Sequence, residues 1–450
     1  MTKTYANAYP RKNFFIQMFT KDISFEDCLL DLVDNSIDGL IRTSELGLSN
    51  ISNSIFSDED SSESKSNHWR VDISYSEDKV CIRDNCGGID LKYAMEEAFN
   101  FGHGIDWNKG FLGVYGVGLK RALFKIGNQF SIKSKTRKNG FSCSLLVDDW
   151  VKKDDSFDDW RLPIIKEGKA KSIEEEGTII EITRIHPEVK MRMAEGTIEN
   201  ILVDAISRTY TFFLGKYVNI SLNGVSVNPM HIPIARPESG TGSYEEFDIN
   251  GVNVKIFATL AEANEDGEYE HDNAGWYVIC NGRAVLSADK SKVSGWGTHA
   301  MPTFQPKHRG FIGFVFFESE DPMMLPWTTT KRGLNKESAV YLRVRNKMIT
   351  GARPVLSFIN KWYPSRNIVS SERETAKQAL PSSFQDIKSS GNVSFQASAP
   401  PKPVRTTMKV QYHAKISDID KINKHVRKNL SGGRVGKLTF DYFLKNEGLS

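Results

Sequence analysis

Asp31 and Asn35 stand four residues apart in Cys28-Leu-Leu-Asp-Leu-Val-Asp-Asn-Ser-Ile-Asp-Gly39. On a helix that spacing puts both side chains on one face. A carboxylate and a carboxamide presented together suit Mg²⁺, which takes oxygen ligands and keeps several waters. The apolar Leu29, Leu30, Leu32, Val33 and Ile37 suit the buried side of the same helix; alone, the pattern equally describes an amphipathic helix with solvated acids. Further on, Asp84-Asn-Cys-Gly-Gly88 ends a strand, and its paired glycines let the backbone approach a bound group or simply turn. In Gly110-Phe-Leu-Gly-Val-Tyr-Gly-Val-Gly-Leu-Lys-Arg-Ala122, Gly113, Gly116 and Gly118 precede a helix. Glycine-lined N–H groups at a helix start cradle phosphate, and Lys120 adds a charge there. The Walker pattern Gly-x-x-x-x-Gly-Lys-Ser/Thr is absent, and a lid-like stretch rather than a strand precedes these glycines, unlike a dinucleotide-binding fingerprint.

These residues need a helix, a hairpin and a second helix to hold them. Ser24-Phe-Glu-Asp27 reads as a capping box, in its Asp form, opening the helix that carries Asp31 and Asn35. Residues 44–68 are Ser-rich and acidic and read as a mobile surface insertion. Trp69–Tyr75 and Lys79–Asp84 read as paired strands, Leu91–Phe101 and Leu119–Ile126 as helices, and residues 141–147 as a further strand. Asp148–Asp159 reads as an acidic surface loop.

Order and spacing of these stretches resemble the GHKL superfamily of ATP-binding domains (DNA gyrase B subunit, heat-shock chaperones, sensor histidine kinases, MutL), MORC-type and related bacterial ATPases above all. The family's first box, Glu-x-x-x-Asn, is similar to Asp31-x-x-x-Asn35, and its second, Asp-x-Gly-x-Gly, to Asp84-Asn-Cys-Gly-Gly88. The third looks like Gly113-x-x-Gly116-x-Gly118, with Lys120 where MORC proteins also carry lysine. The fourth, a Gly-Thr opening a strand, looks like Gly177-Thr-Ile-Ile-Glu-Ile182.

The resemblance implies an α/β (α+β) fold, a Bergerat-type sandwich, over residues 1–190, with an ATP lid at 101–118. It implies that Asn35 holds Mg²⁺ and that Asp84 accepts the adenine amino hydrogen, assisted by Thr178. Gly88 would leave room for the base, and Gly113, Gly116, Gly118 and Lys120 would meet the phosphates. Asp31 would orient or deprotonate the attacking water. Two positions depart from the pattern. Asp31 stands where the family carries Glu, and a misplacement of that order can cost about 10²-fold in rate. Cys86 stands where the first glycine of the second box belongs, leaving Gly87 to supply the turn.

Beyond His186-Pro187, Thr197–Leu214 reads as a helix, and Asn223-Gly224, Asn250-Gly251 and Asn281-Gly282 as hairpin turns. The last, in Gly275–Val285, resembles a hairpin of the transducer domain that follows the ATPase in gyrase, MutL and MORC, which assigns residues 191–365 to such a domain. There the resemblance expects a lysine after the buried strand Phe311–Phe317 to reach the γ-phosphate; Lys331 fits, with Arg332 in reserve. Glu337–Trp362 reads as a helix and residues 366–408, rich in Ser, Gln and Pro, as a flexible linker. Residues 409–450 form a basic docking segment: positions 402–450 hold eleven Lys/Arg against four acids, a balance of +7 that leaves −4 for the rest of a chain with net charge +3. A partner protein or second subunit is its expected contact, with nucleic-acid phosphates the alternative.

Composition is that of a globular chain, 39% hydrophobic and 26% charged over 450 residues. No apolar run is long enough to span a membrane, and there is no signal-peptide core at the start. The five scattered cysteines (28, 81, 86, 143 and 280) form neither a zinc pattern nor a disulfide framework, which fits a cytoplasmic protein. The reading is an ATP-gated switch that dimerises on binding Mg-ATP and hydrolyses it slowly, acting with an effector or client in DNA transactions or defence against foreign DNA. The alternative is a nucleotide-dependent protein-binding or chaperone-like module with little turnover. A histidine kinase would need a phosphoacceptor helix, and only thirteen residues precede Phe14.

Overall fold

The computed structural model describes residues 10–44, 51, 55–56, 69–102, 112–113, 116–153, 160–361, 377–398 and 410–449. Most of the expected insertion at 44–68 and of the expected lid at 101–118 lies outside them. The chain divides into two compact units, Met1–Ala399 and Pro400–Ser450.

Helix α1 (Lys12–Thr20) leads to α2 (Phe25–Thr43), whose start is fixed by the expected capping box: Ser24 Oγ accepts from Asp27 N–H, and Asp27 accepts from Ser24 N–H, both at 3.1 Å. The box satisfies two of the N–H groups that any helix start leaves open. Leu29, Leu32, Val33, Ile37 and Leu40 of α2 are fully buried and join one hydrophobic cluster with the first sheet.

That sheet is built from β1 (Arg70–Ser76), β2 (Lys79–Asp84), β3 (Gly127–Lys135), β4 (Gly140–Leu146), β5 (Ile164–Glu167), β6 (Gly177–Ile185), β7 (Asn219–Leu222) and β8 (Val225–Val227). Among the described residues its order is β5-β4-β3-β6-β2-β1-β7-β8. Helix α3 (Gly118–Ile126) packs along α2 and runs straight into β3. The β7–β8 hairpin turns at Asn223-Gly224, both with positive φ, and β7 adds to β1 in parallel. The first sheet therefore extends past residue 190, where the sequence reading drew its domain boundary. Leu91–Tyr93 is a short helical turn that continues as a π-turn over Ala94–Ala98. Val147–Lys152 forms helix α4 where a loop was expected, because Val147 and Trp150 bury one side of it.

The second sheet carries β9 (Ile234–Pro237), β10 (Ser243–Ile249), β11 (Val252–Ala261), β12 (Gly275–Cys280), β13 (Arg283–Asp289), β14 (Phe311–Glu318) and β15 (Ala379–Pro381). It runs β13-β12-β14-β11-β9-β15, with β10 on β11. Between β6 and β7 the chain forms α5 (Pro187–Met193) and α6 (Ile198–Thr209), the latter shorter than the helix expected over Thr197–Leu214. Strands β11, β12 and β14 read as near-continuous apolar runs because both faces of this sheet are covered. Val254, Ile256, Val315 and Phe317 point to the side taken by α7 (Ala339–Lys361), while Phe257, Phe314 and Phe316 face the other way.

That other face corrects the linker expectation. Of residues 366–408, residues 377–398 are folded onto the sheet: β15 pairs with β9, and α8 (Phe384–Lys388) inserts Phe384 and Ile387 among the aromatics. The Phe384 ring lies 5.0, 4.9 and 5.4 Å from those of Phe257, Phe314 and Phe316. Few apolar residues interrupt the polar composition here, but those few meet a preformed aromatic socket. The rest of that stretch lies outside the described residues.

In the C-terminal unit α9 (Ile416–Val426) and α10 (Gly432–Asn446) pack on each other. The turn between them is tied by Asn423, whose side chain both donates to and accepts from the Leu430 backbone at 3.1 Å. Ile419, Ile422 and Val426 are half-buried; Ile416, expected on the same face, is exposed.

Truncating Phe384 to Ala should lower the stability of the Met1–Ala399 unit by about 3–5 kcal/mol, read as a shift in urea midpoint. An unchanged midpoint would return residues 377–398 to the linker.

Candidate functional site

Helix α2 is the floor on which the sequence-predicted residues meet, and its polar positions have four different fates. Asn35 is exposed. Asp31, only 4% exposed, accepts from Arg121 Nη2 of α3 at 2.6 Å. Burial pushes its carboxyl up, against the charges of Lys331 and Arg121. Asp34, buried to 1%, accepts from Tyr210 Oη at 2.8 Å, Arg283 Nε at 2.9 Å and Lys331 Nζ at 2.6 Å. Burial alone would raise that carboxyl, but Arg283 and Lys331 outweigh it and hold it low. Asp38 accepts from the backbone N–H groups of Leu112 and Gly113, each at 2.6 Å. Burial pushes it up to about 7 in spite of those two bonds.

The second box closes one end of this floor. Asp84 Oδ1 accepts from Cys86 N–H at 2.9 Å and Thr178 N–H at 3.2 Å, and Oδ2 from Ser36 Oγ at 2.9 Å. Burial raises its carboxyl and these bonds oppose the rise. Thr178 Oγ1 lies 2.9 Å from Ser134 Oγ, which accepts from Ile89 N–H at 2.7 Å. Gly87 and Gly88 both take positive φ, 86° and 67°, so the turn displaced by Cys86 is made one residue later. A Cβ on Gly88 would collide with the Lys135 carbonyl; the space this glycine opens is taken by β3. Arg42 Nη2 donates to Gly88 O at 2.6 Å and ties the turn back to α2.

The glycine run closes the other end. Gly116 has a φ of 61°, and Gly118 opens α3 directly against Asp31, with room for a Cβ only 3.2–3.3 Å from its carboxyl group. Lys120 is 4% exposed and donates from Nζ to Ala98 O at 3.0 Å. Burial alone lowers its pKa to about 7. The described part of this run is thus fastened at Asp38, Asp31 and Ala98.

Lys331 comes from the loop after β14 and, in left-handed backbone with a φ of 55°, turns inward to Asp34. Its charge acts on Asp31, Asp34 and Asp38 alike. Its carbonyl accepts from Arg283 Nη1 at 2.7 Å, and Arg332 pairs with Asp27 at the start of α2. Sequence reasoning missed Arg121, Arg283, Tyr210 and Ser36. Arg121 stood in the quoted glycine run and Arg283 in the quoted hairpin, but only the fold pairs them with α2.

The donor set bears on the metal. Each of Asp31, Asp34 and Asp38 already has a cationic or backbone partner, and among the described residues no cluster of three His, Cys, Asp or Glu could hold an ion. One exposed carboxamide remains, that of Asn35. This fits Mg²⁺ carried by a polyphosphate, whose remaining ligands are phosphate oxygens and water. No helix among the described residues is long and apolar enough to cross a membrane.

No curated protein matches the chain. A family model described as histidine kinase-, DNA gyrase B- and HSP90-like ATPase matches residues 23–178, from the capping turn of α2 to Thr178. That span, about a third of the chain, is similar to the ATP-binding domains of the GHKL superfamily.

Proposed function

We propose that the cleft over α2 binds Mg-ATP and hydrolyses it slowly, and that the bound nucleotide sets the conformation of the chain. The observation that carries this is the convergence of all four motifs on one helix, with the Asp84 network at one end and the glycine run at the other. Among the described residues Asp84 has three donors on two oxygens, and a carboxylate has about four acceptor sites, so one is left for the adenine amino group. Asn35 would hold Mg²⁺, which when bound neutralises phosphate charge. The start of α3 and Lys120 face the phosphates, and Lys331 supplies the cation expected at the γ-phosphate. Asp34 keeps Arg283 and Tyr210 when Lys331 turns away, so the transfer leaves no bare buried charge. Among the described residues no hydrogen bond reaches Asp31 Oδ1, which leaves that oxygen for the attacking water.

Exposed Phe14 and Met18, four apart on α1, support an apolar contact with a second copy on ATP binding. In the C-terminal unit Phe440, Tyr442 and Phe443 are more than half exposed. Exposed aromatics among basic residues favour docking on an effector protein over contact with DNA alone. Action in DNA transactions or defence, in the cytoplasm, is the setting that the resemblance to MORC and MutL suggests. The second reading, a nucleotide-dependent binding module with little turnover, draws on Asp31, short for a family base and bound to Arg121.

Turnover and solution mass measured together, with and without duplex DNA, test the switch. Wild type should hydrolyse ATP slowly and gain a dimer; Asp31→Asn should lose at least about 10²-fold in turnover yet trap the dimer; Asn35→Ala should lose Mg-ATP binding with the fold intact. Equal, negligible turnover in wild type and Asp31→Asn would favour the second reading, and unaltered affinity in Asn35→Ala would remove the site assignment.

Lys120 gives a pH-dependent check. Above pH 7 it is largely neutral in the ATP-free protein, and an adjoining polyphosphate favours its charged form. Binding at pH 8 should therefore take up as much as about one proton, seen by calorimetry in buffers of different ionisation enthalpy. Lys120→Met should abolish that uptake; the same uptake in the variant would place Lys120 away from the phosphates.

A further inference from the structure

Asp31 is held by a cation that no motif requires. Arg121, one residue past Lys120 on α3, is 8% exposed, and its Nη2 donates to Asp31 Oδ2 at 2.6 Å. Its Nε–H is buried and finds no acceptor among the described residues. The guanidinium therefore gives its bond to Asp31 while, among the described residues, another of its donors has no acceptor, which packing does not explain. Glycine at 118 is what lets α3 come this close.

The consequence follows from burial. A carboxylate at this depth without a partner takes up a proton, and a protonated Asp cannot accept one from water. Around Asp31 stand Arg121 from α3, Lys331 and Arg283 from the second sheet, Asp34 and Cys28 of α2, and Tyr210. Lys331 and Arg283 are bonded to Asp34; among the described residues Arg121 is the cation bonded to Asp31. Asp is also one methylene shorter than Glu, so its oxygens are placed by whatever grips them. A planar guanidinium fixes an oxygen in direction as well as distance.

We propose that Arg121 is a positioning residue for hydrolysis, gripping Oδ2 of Asp31 so that Oδ1 is presented to the attacking water. This rests on the reading of Asp31 as the base. In the step, the water oxygen forms a bond to the γ-phosphorus and the bond from that phosphorus to the β,γ-bridging oxygen breaks, its electron pair leaving with ADP. The water proton passes to Asp31 Oδ1. Arg121 stays protonated and transfers nothing.

The test is kcat and KM against pH for full-length wild type, Arg121→Met, Arg121→Lys and Asp31→Asn. Arg121→Met should keep KM within about threefold and lose at least about tenfold in kcat at neutral pH, with its acidic limb moved to higher pH. Arg121→Lys keeps a charge without the fork; its limb should stay near that of wild type while kcat falls severalfold. Turnover that depends on Asp31 but is unchanged in kcat and limb by both Arg121 variants overturns the proposal and leaves the base assignment standing. Wild type no faster than Asp31→Asn overturns both. Should Arg121→Met fail to fold, Arg121→Lys decides: wild-type kcat in it overturns the proposal.

Discussion

Asp34 receives Tyr210 Oη, Arg283 Nε and Lys331 Nζ, none of them from its own helix, and is almost wholly out of water. Tyr210 follows α6, Arg283 opens β13 and Lys331 lies on the loop after β14. One carboxylate thus fixes α2, the floor of the candidate nucleotide site, against the second sheet. Each charge is tolerated at that depth only because the others are there; removing one partner of such a set typically costs about 3–5 kcal/mol. The set has two cations for one anion, and the surplus positive charge is directed at Asp31 and Asp38.

Those charges reach past Asp34 along the helix. Among the described residues Asp31 is bonded to Arg121 and Asp34 to Arg283 and Lys331, while Asp38 is held by backbone N–H groups. On the proposed function a bound triphosphate would add negative charge and compete with those carboxylates for the cations. Were Lys331 to turn to a phosphate, Asp34 would retain Tyr210 and Arg283 as donors. On the proposed function the second sheet would thereby respond to whether phosphate is present, which is the physical content of a nucleotide-dependent conformation.

What the sequence made legible is what local rules govern. The capping box at Ser24 and the three Asn-Gly turns follow from N–H groups that must be satisfied and from φ values that few residues tolerate. Gly87 and Gly88 could be read for the same reason. The partners of Asp31 and Asp34 could not, because Arg121, Arg283 and Lys331 lie from about ninety to three hundred positions away and only tertiary structure brings them in. The second-sheet segment at 377–398 was hidden by a polar composition, since Phe384, Ile387 and Phe395 are its only large buried side chains. The β7–β8 hairpin was seen as a hairpin, but its parallel pairing with β1 is non-local and left no mark on either strand.

On the proposed function the space between Asp84 and the start of α3 takes an adenine nucleotide. Calorimetric titration of the full-length wild-type chain with Mg-ATP and, separately, Mg-GTP addresses it most directly. Guanine presents a carbonyl where adenine presents its amino group, so Asp84 should reject it. One saturable ATP site per chain is expected, with GTP bound at least about tenfold more weakly, the scale of one unmatched buried polar contact. No ATP binding, or equal affinity for the two nucleotides, would contradict it.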